Sequence, residues 1–152
     1  MIYKENTIYK NGLTLEDFEN ASTWIDITDE LGTKETGFEF SRVSIVYNKL
    51  IGMIRIRGYS SKNVTMNGVI SVFTFNTDIP GFDSNGAFVA EATAFAFEGG
   101  AAQFRAQPWG PISNINGFIT VQLTNGSKSF TYDCFSSIKN ELKEQFNNYL
   151  GM

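Results

Sequence analysis

The sequence predicts an all-β fold, an antiparallel β-sandwich or barrel-like head followed by a C-terminal amphipathic helix. Three observations predict it. Apolar side chains alternate with period two in several separate runs between residues 42 and 135. Turn formers punctuate those runs, among them Gly99-Gly100 and Asn125-Gly126. The period lengthens only after Ser137, where Ile138, Leu142, Phe146 and Tyr149 or Leu150 recur every three or four residues. Short strands spaced by such turns belong to sandwiches and barrels, and about seven to nine strands are expected.

Taken in order, residues 1–23 carry isolated apolar side chains without periodicity and read as an arm or linker. Thr14, three residues before Asp17, signals one short turn over Leu15–Asn20. The head spans 24–135. Trp24 to Thr28 is extended and runs into an acidic loop ending at Leu31-Gly32. In 42–47, Val43, Ile45 and Tyr47 share a face; after a turn at Asn48-Lys49, Leu50, Gly52, Ile54 and Ile56 lie opposite Ile51, Met53, Arg55 and Arg57, which makes a hairpin. Val69 to Phe75, entered through a turn at Gly68, is apolar on both faces and is expected to be covered on both. The stretch 78–86 concentrates turn formers around Pro80-Gly81 and is expected to be an exposed loop.

Ala87 to Phe97 places Phe88, Ala90, Ala92, Ala94 and Ala96 against Ala87, Val89, Glu91, Thr93, Phe95 and Phe97; its alanines make a helix a competing reading, but the framing glycines and the period of two favour a strand with small residues where another backbone comes close. Ala101 to Ala106 is its expected hairpin partner across Gly99-Gly100, until Pro108 and Pro111 stop the run. Gly117 to Leu123 turns Ile119, Val121 and Leu123 inward. Asn125-Gly126, the strongest type I′ turn signal in the chain, is expected to pair it with Lys128 to Phe135, where Phe130, Tyr132 and Cys134 align. The segment 136–152 is the helix, with Ser137 as its cap.

Composition narrows the chemistry. At 152 residues and 17.0 kDa the chain supports one core. Its formal charge of −4 gives no reason to expect nucleic acid as a partner. With no histidine, imidazole bases, Ser-His-Asp and Cys-His catalysis and histidine metal sites are excluded. The one cysteine, Cys134, cannot close a disulfide within the chain and reads as a small buried hydrophobe. Charged residues make up 18 % against about 25 % in an average domain, while aromatics reach 14 %, so some apolar surface is expected to face another chain. The opening residues show no signal-peptide pattern and no apolar run is long enough to span a membrane, so neither a secretory precursor nor membrane insertion is expected.

Acidic residues do not assemble a reaction. Asp26, Asp29 and Glu30 lack the spacing of a calcium loop, and Asp83-Ser84-Asn85 reads as an Asx turn, so no metal is expected. Glu91 and Glu98 would lie about 23 Å apart on an extended segment, too far for a glycosidase pair. No enzyme and no cofactor are predicted. Binding needs less: an aromatic face against sugar C–H surface, with planar hydrogen-bonding groups beside it. Trp109, Arg105 and Gln107 supply these ingredients within five residues, with Asp83 and Asn85 expected from the preceding loop. Tyr59 is a weaker candidate. Arg55 and Arg57 are expected to pair with carboxylates, with an anionic glycan as the other possibility.

The segments Trp24-Ile25-Asp26-Ile27-Thr28 and Val43-Ser44-Ile45-Val46-Tyr47-Asn48-Lys49-Leu50-Ile51-Gly52-Met53-Ile54-Arg55-Ile56-Arg57-Gly58 resemble the terminal head domains of tail-fibre and baseplate receptor-binding proteins from phages of Gram-positive bacteria. Phe73-Thr74-Phe75 followed by Ile79-Pro80-Gly81-Phe82 looks like the next element of that family, and 119–123 and 130–135 match its closing strands by pattern. The resemblance implies a homotrimeric β-sandwich head, carried on the virion tail and acting outside the cell, that attaches without catalysis to host cell-wall saccharide. A purely structural baseplate or virion component that binds other tail proteins is the alternative. The helix after the closing strand is additional to the family pattern.

Overall fold

The computed structural model describes Leu15 and residues 23–152; the arm expected over 1–23, with its turn at Leu15–Asn20, otherwise lies outside the described residues. The elements are β1 (Trp24–Asp26), a single helical turn α1 (Thr28–Leu31), β2 (Gly32–Lys34), β3 (Phe40–Asn48), β4 (Met53–Phe75), β5 (Ala90–Ala96), β6 (Gly100–Ala106), β7 (Phe118–Ser137), a 3-10 turn (Asn140–Leu142) and α2 (Lys143–Tyr149). All strands pair antiparallel in one seven-stranded sheet, in the order β1-β3-β4-β7-β5-β6, with β2 also on β4 and β6 also on β7. The fold is therefore all-β with one short C-terminal helix. No helix among the described residues is long and apolar enough to cross a membrane.

Two long strands organise the sheet. β4 and β7 pair from Met53↔Ser137 to Thr74↔Phe118, and β7 also takes β6 on its first part (Gln103↔Gln122) and β5 on its second (Phe95↔Thr131). Because both strands of the β5–β6 hairpin pair antiparallel with successive parts of β7, β7 must bend sharply between Gln122 and Phe130. β4 follows it through register shifts between Ser61 and Gly68.

Glycines make this corner. Asn125-Gly126 is not the hairpin turn expected from the sequence. It lies inside β7, and Asn67-Gly68 lies inside β4, with Gly126 at φ 74° and Gly68 at φ 75°. The left-handed backbone that suits a type I′ turn equally suits a glycine bulge, and here it bends two paired strands together. For the same reason Val69–Phe75 is not a separate strand but the far part of β4. A further shift between Ser71 and Phe73 breaks its alternation and buries Val72, Phe73 and Phe75.

The β3–β4 hairpin forms with a longer turn than expected, Lys49 to Gly52. Asn48 Oδ1 accepts the Leu50 N–H at 3.1 Å, and its carbonyl accepts the Gly52 N–H at 2.9 Å. The β5–β6 hairpin also forms, but three residues, Phe97 to Gly99, connect it, with Gly100 at φ 81° opening β6. The acidic loop after β1 is the turn α1, whose Thr28 N–H donates to Asp26 Oδ1 at 2.9 Å.

The core lies on the inner face that period two predicts. Val43, Ile45, Tyr47, Ile54, Ile56, Phe104, Ile119, Val121, Phe130 and Tyr132 are buried, each large apolar side chain contributing about 1.5–3 kcal/mol relative to exposure. The alanines of β5 point inward and leave room for the Phe104–Tyr132 stack, whose centroids are 4.9 Å apart. The end of the chain differs from the expected helix over 136–152. β7 runs through Ser137, so Ser137 caps nothing, and the Ile138 and Lys139 amides donate to Gly52 O and Ala87 O. The apolar stripe still docks: Ile138 and Phe146 are buried, and Leu142, Tyr149 and Leu150 pack beside them.

Candidate functional site

The residues from Arg105 to Trp109 are adjacent in sequence but do not converge. β6 stops at Ala106, and the pleat that would have put Arg105 and Gln107 on one face stops with it. Gln107 is wholly buried. Its backbone continues the ladder with Phe118 O and Gly117 N–H, while its side-chain amide meets no partner among the described residues. It cannot present that amide to a ligand on the open face. Arg105 does face outward, but its Nε lies 3.1 Å from Glu91 Oε1, directly across the β5–β6 ladder. The contact is Coulombic, since this N–H makes no hydrogen bond. Trp109 is half-buried against Gly86, where an added Cβ would stand 2.8 Å from the indole Cδ1. Trp109 and the 81–86 loop thus come together as packing. Within that loop Asp83 and Asn85 are exposed, and the Asn85 carbonyl accepts Lys139 Nζ at 2.6 Å.

The other chemistry-bearing residues are equally scattered. Glu91 and Glu98 are both exposed, and among the described residues no three carboxylate, cysteine or histidine side chains gather as a metal site. Cys134 is buried. Its thiol is pushed upward by burial and then by the Asp133 charge.

A different surface gathers side chains from three strands. On the outer face of β3, β4 and β7, an open hollow of about 520 Å³ is lined by Arg42, Ser44, Arg57, Gly58, Tyr59, Thr131, Tyr132 and Asp133. The register builds it: Arg42 opposes Tyr59, Ser44 opposes Arg57, and across β4 Arg57 opposes Asp133 and Tyr59 opposes Thr131. Glycine is required at 58, because a Cβ there would lie 2.3 Å from Tyr132 Oη and 2.4 Å from Arg42 O.

Beside the hollow runs a ridge of rings. Phe40–Tyr59, Tyr59–Phe97 and Phe97–Phe95 have centroids 5.8, 5.9 and 5.0 Å apart, and the three phenylalanines are more than half exposed. Each pair has the tilted or edge-on geometry that aromatic quadrupoles favour. At the far edge Trp24 packs edge-on to Phe135, and the Arg55 guanidinium lies 5.1 Å from the Phe135 centroid.

The charges are unevenly matched. Arg55 grips Asp133 with Nε–Oδ1 at 2.9 Å and Nη2–Oδ2 at 2.6 Å. That hydrogen-bonded pair holds the Asp133 carboxyl below the usual aspartate range; partial burial opposes the shift, and the charges of Arg55 and Arg57 add to it. Arg42 and Arg57 have no carboxylate within ion-pair distance among the described residues. The pairing expected for Arg55 and Arg57 is therefore met at Arg55, within the chain, and not at Arg57. Tyr59 was named from the sequence only as a weak candidate; Arg42 marked no more than a strand start. What joins these two residues to Arg57 is cross-strand register, which one strand read alone does not carry.

Comparison with protein families, with curated proteins and with solved structures finds no match to this chain. The functional reading therefore rests on the geometry and on the resemblance noted above.

Proposed function

We propose that this chain is a non-enzymatic binding head, of the kind carried on phage tail fibres and baseplates, that attaches to host cell-wall saccharide at the virion's tip. The observation that carries the reading is the Arg42–Arg57–Tyr59 hollow with its bordering ridge, where an open concavity, ring surfaces and planar donors meet on a rigid sheet. The contact surface moves from Trp109 to this face. We also take the sheet to roll into a barrel-like head. Both strands of the β5–β6 hairpin pair with β7, and β1 and β2, which pair on different strands, are joined by the single turn α1.

Asp133 is occupied by Arg55 and Glu91 by Arg105, so the reading asks only for contacts, multiplied by a homotrimer. The test is sedimentation of the folded protein with purified cell-wall polysaccharides, together with its mass in solution. Retention on at least one polysaccharide and a trimeric mass are expected; a monomer retained on none would overturn the reading.

A structural baseplate or virion role has one observation in its favour. Phe95 and Phe97 expose 52 % and 54 % of their surface on the outer side of β5, where rings of that size are typical of a protein contact. Phe97→Ser that dissociates the oligomer without reducing saccharide retention per chain would assign the ridge to assembly and leave adhesion to the hollow.

A further inference from the structure

We propose that the hollow between Arg42 and Arg57 is an oxyanion subsite, so that the saccharide this head takes is an acidic one. The inference rests on the adhesion reading above and adds the charge of the ligand. Its ground is a local excess of positive charge on a chain that is negative as a whole. Among the described residues three arginines, Arg42, Arg55 and Arg57, face one carboxylate, Asp133.

Both oxygens of that carboxylate are engaged by Arg55. Arg57 stands directly opposite Asp133 in the ladder and still makes no ion pair with it. Arg42 and Arg57 are diagonal neighbours across the β3–β4 ladder, which places their stems about 7–8 Å apart on the same face. Two long guanidinium side chains at that spacing can close on one bound oxyanion, each offering a fork of N–H donors.

Among the described residues no other carboxylate lies within ion-pair distance of them. Glu39 accepts the Asn63 amide and Glu91 pairs with Arg105. The Tyr59 ring lies on the wall of the same hollow, which gives the anion's carrier an apolar surface to rest on. A concavity of about 520 Å³ suits one or two sugar rings bearing a carboxylate, sulfate or phosphate. A flat protein face would enter it only with a protruding side chain, so an acidic saccharide is favoured over an acidic protein.

The experiment uses the full chain, its fold checked by circular dichroism and thermal melting, titrated with matched probes. These are oligogalacturonate and its methyl ester for the carboxylate source, dextran sulfate and dextran for the sulfate source, inorganic phosphate as competitor, and polyglutamate as the acidic polypeptide. At least one acidic saccharide is expected to bind about 10-fold or more tightly than its neutral counterpart, with phosphate competing. Arg42→Gln and Arg57→Gln should each weaken that binding about 10-fold and leave the melt in place. Asp133→Asn, which removes the opposing charge, should tighten it severalfold, a direction that general damage would not produce.

Equal binding of acidic and neutral probes, unmoved by the arginine variants, would overturn the oxyanion subsite and leave adhesion standing. Binding of polyglutamate alone would overturn both in favour of an acidic protein partner. Binding of no probe by the folded chain would overturn the subsite, whatever cell-wall sedimentation shows for adhesion.

Discussion

Two arginines on this sheet face an acid directly across a β-ladder, and their circumstances differ. On β6, Arg105 opposes Glu91 and the two form an ion pair. On β4, Arg57 opposes Asp133, but Arg55, two residues away on the same face, has taken both carboxylate oxygens. One cross-strand arrangement yields a neutralised pair, the other an unpaired cation beside an open hollow. Local stoichiometry on a face, not the presence of an opposite charge across the ladder, decides which arginine is available to a ligand. The same contrast separates the two candidate surfaces. The Trp109 stretch is compact in sequence and is spent on packing; the Tyr59 face is dispersed in sequence and stays open.

The largest expected effect tests the packing side of that contrast. Trp109→Ala should cost about 3 kcal/mol in urea unfolding, since it strips the ring from Gly86, while the folded fraction keeps its saccharide binding. A variant of unchanged stability that no longer binds would return the site to Trp109. Next, Gly58→Ala should cost about 2 kcal/mol, because its Cβ must displace either the Arg42 carbonyl or the Tyr132 hydroxyl. Wild-type stability in chemical denaturation would show that this floor is loose.

Gln107→Met should raise stability by about 1 kcal/mol, because it removes a buried amide without a partner; a lower melting temperature would show that the amide is satisfied after all. Glu91→Gln should change stability by less than about 0.5 kcal/mol, as partly exposed pairs do, yet it frees Arg105 as a further unpaired arginine beside Arg42 and Arg57. If freedom from a partner is what matters, weak anion binding should then appear on β6, detectable by titration with dextran sulfate.

The smallest effect is the acid limb. Asp133 has a lowered folded pKa, so its contribution to stability is fully present above the ordinary aspartate range. It is lost as the pH falls through the lower folded value. The pair is exposed, so the loss should be slight, and Asp133→Asn should flatten it in a pH series of thermal melts.

How far the sequence could be read is clearest at single positions. Val43, Ile45, Tyr47, Ile54, Ile56, Ile119, Val121 and Leu123 were readable as core from period two alone, and all are buried. On β5 the separation of the alanines from Phe95 and Phe97 was readable, but which of the two sides faces the core was not. Asn125-Gly126 misled, because one left-handed glycine serves both a hairpin turn and a bulge. Gln107 misled because alternation was carried one residue past the end of β6. Of the hollow, Arg57 and Tyr59 could be named in advance. Arg42 and Asp133 could not be joined to them, since each lies on a different strand.

By itself the sequence determined the all-β class, the inner face of the clearly alternating strands, and the removal of imidazole chemistry. These follow from alternation and residue inventory, which are local properties of the chain. Only the tertiary structure decided that β4 and β7 bend together, that Gln107 is interior, and that Arg42, Arg57 and Tyr59 share one hollow. Those outcomes depend on register between strands far apart in sequence, where a shift of one residue exchanges every side chain between the core and the surface.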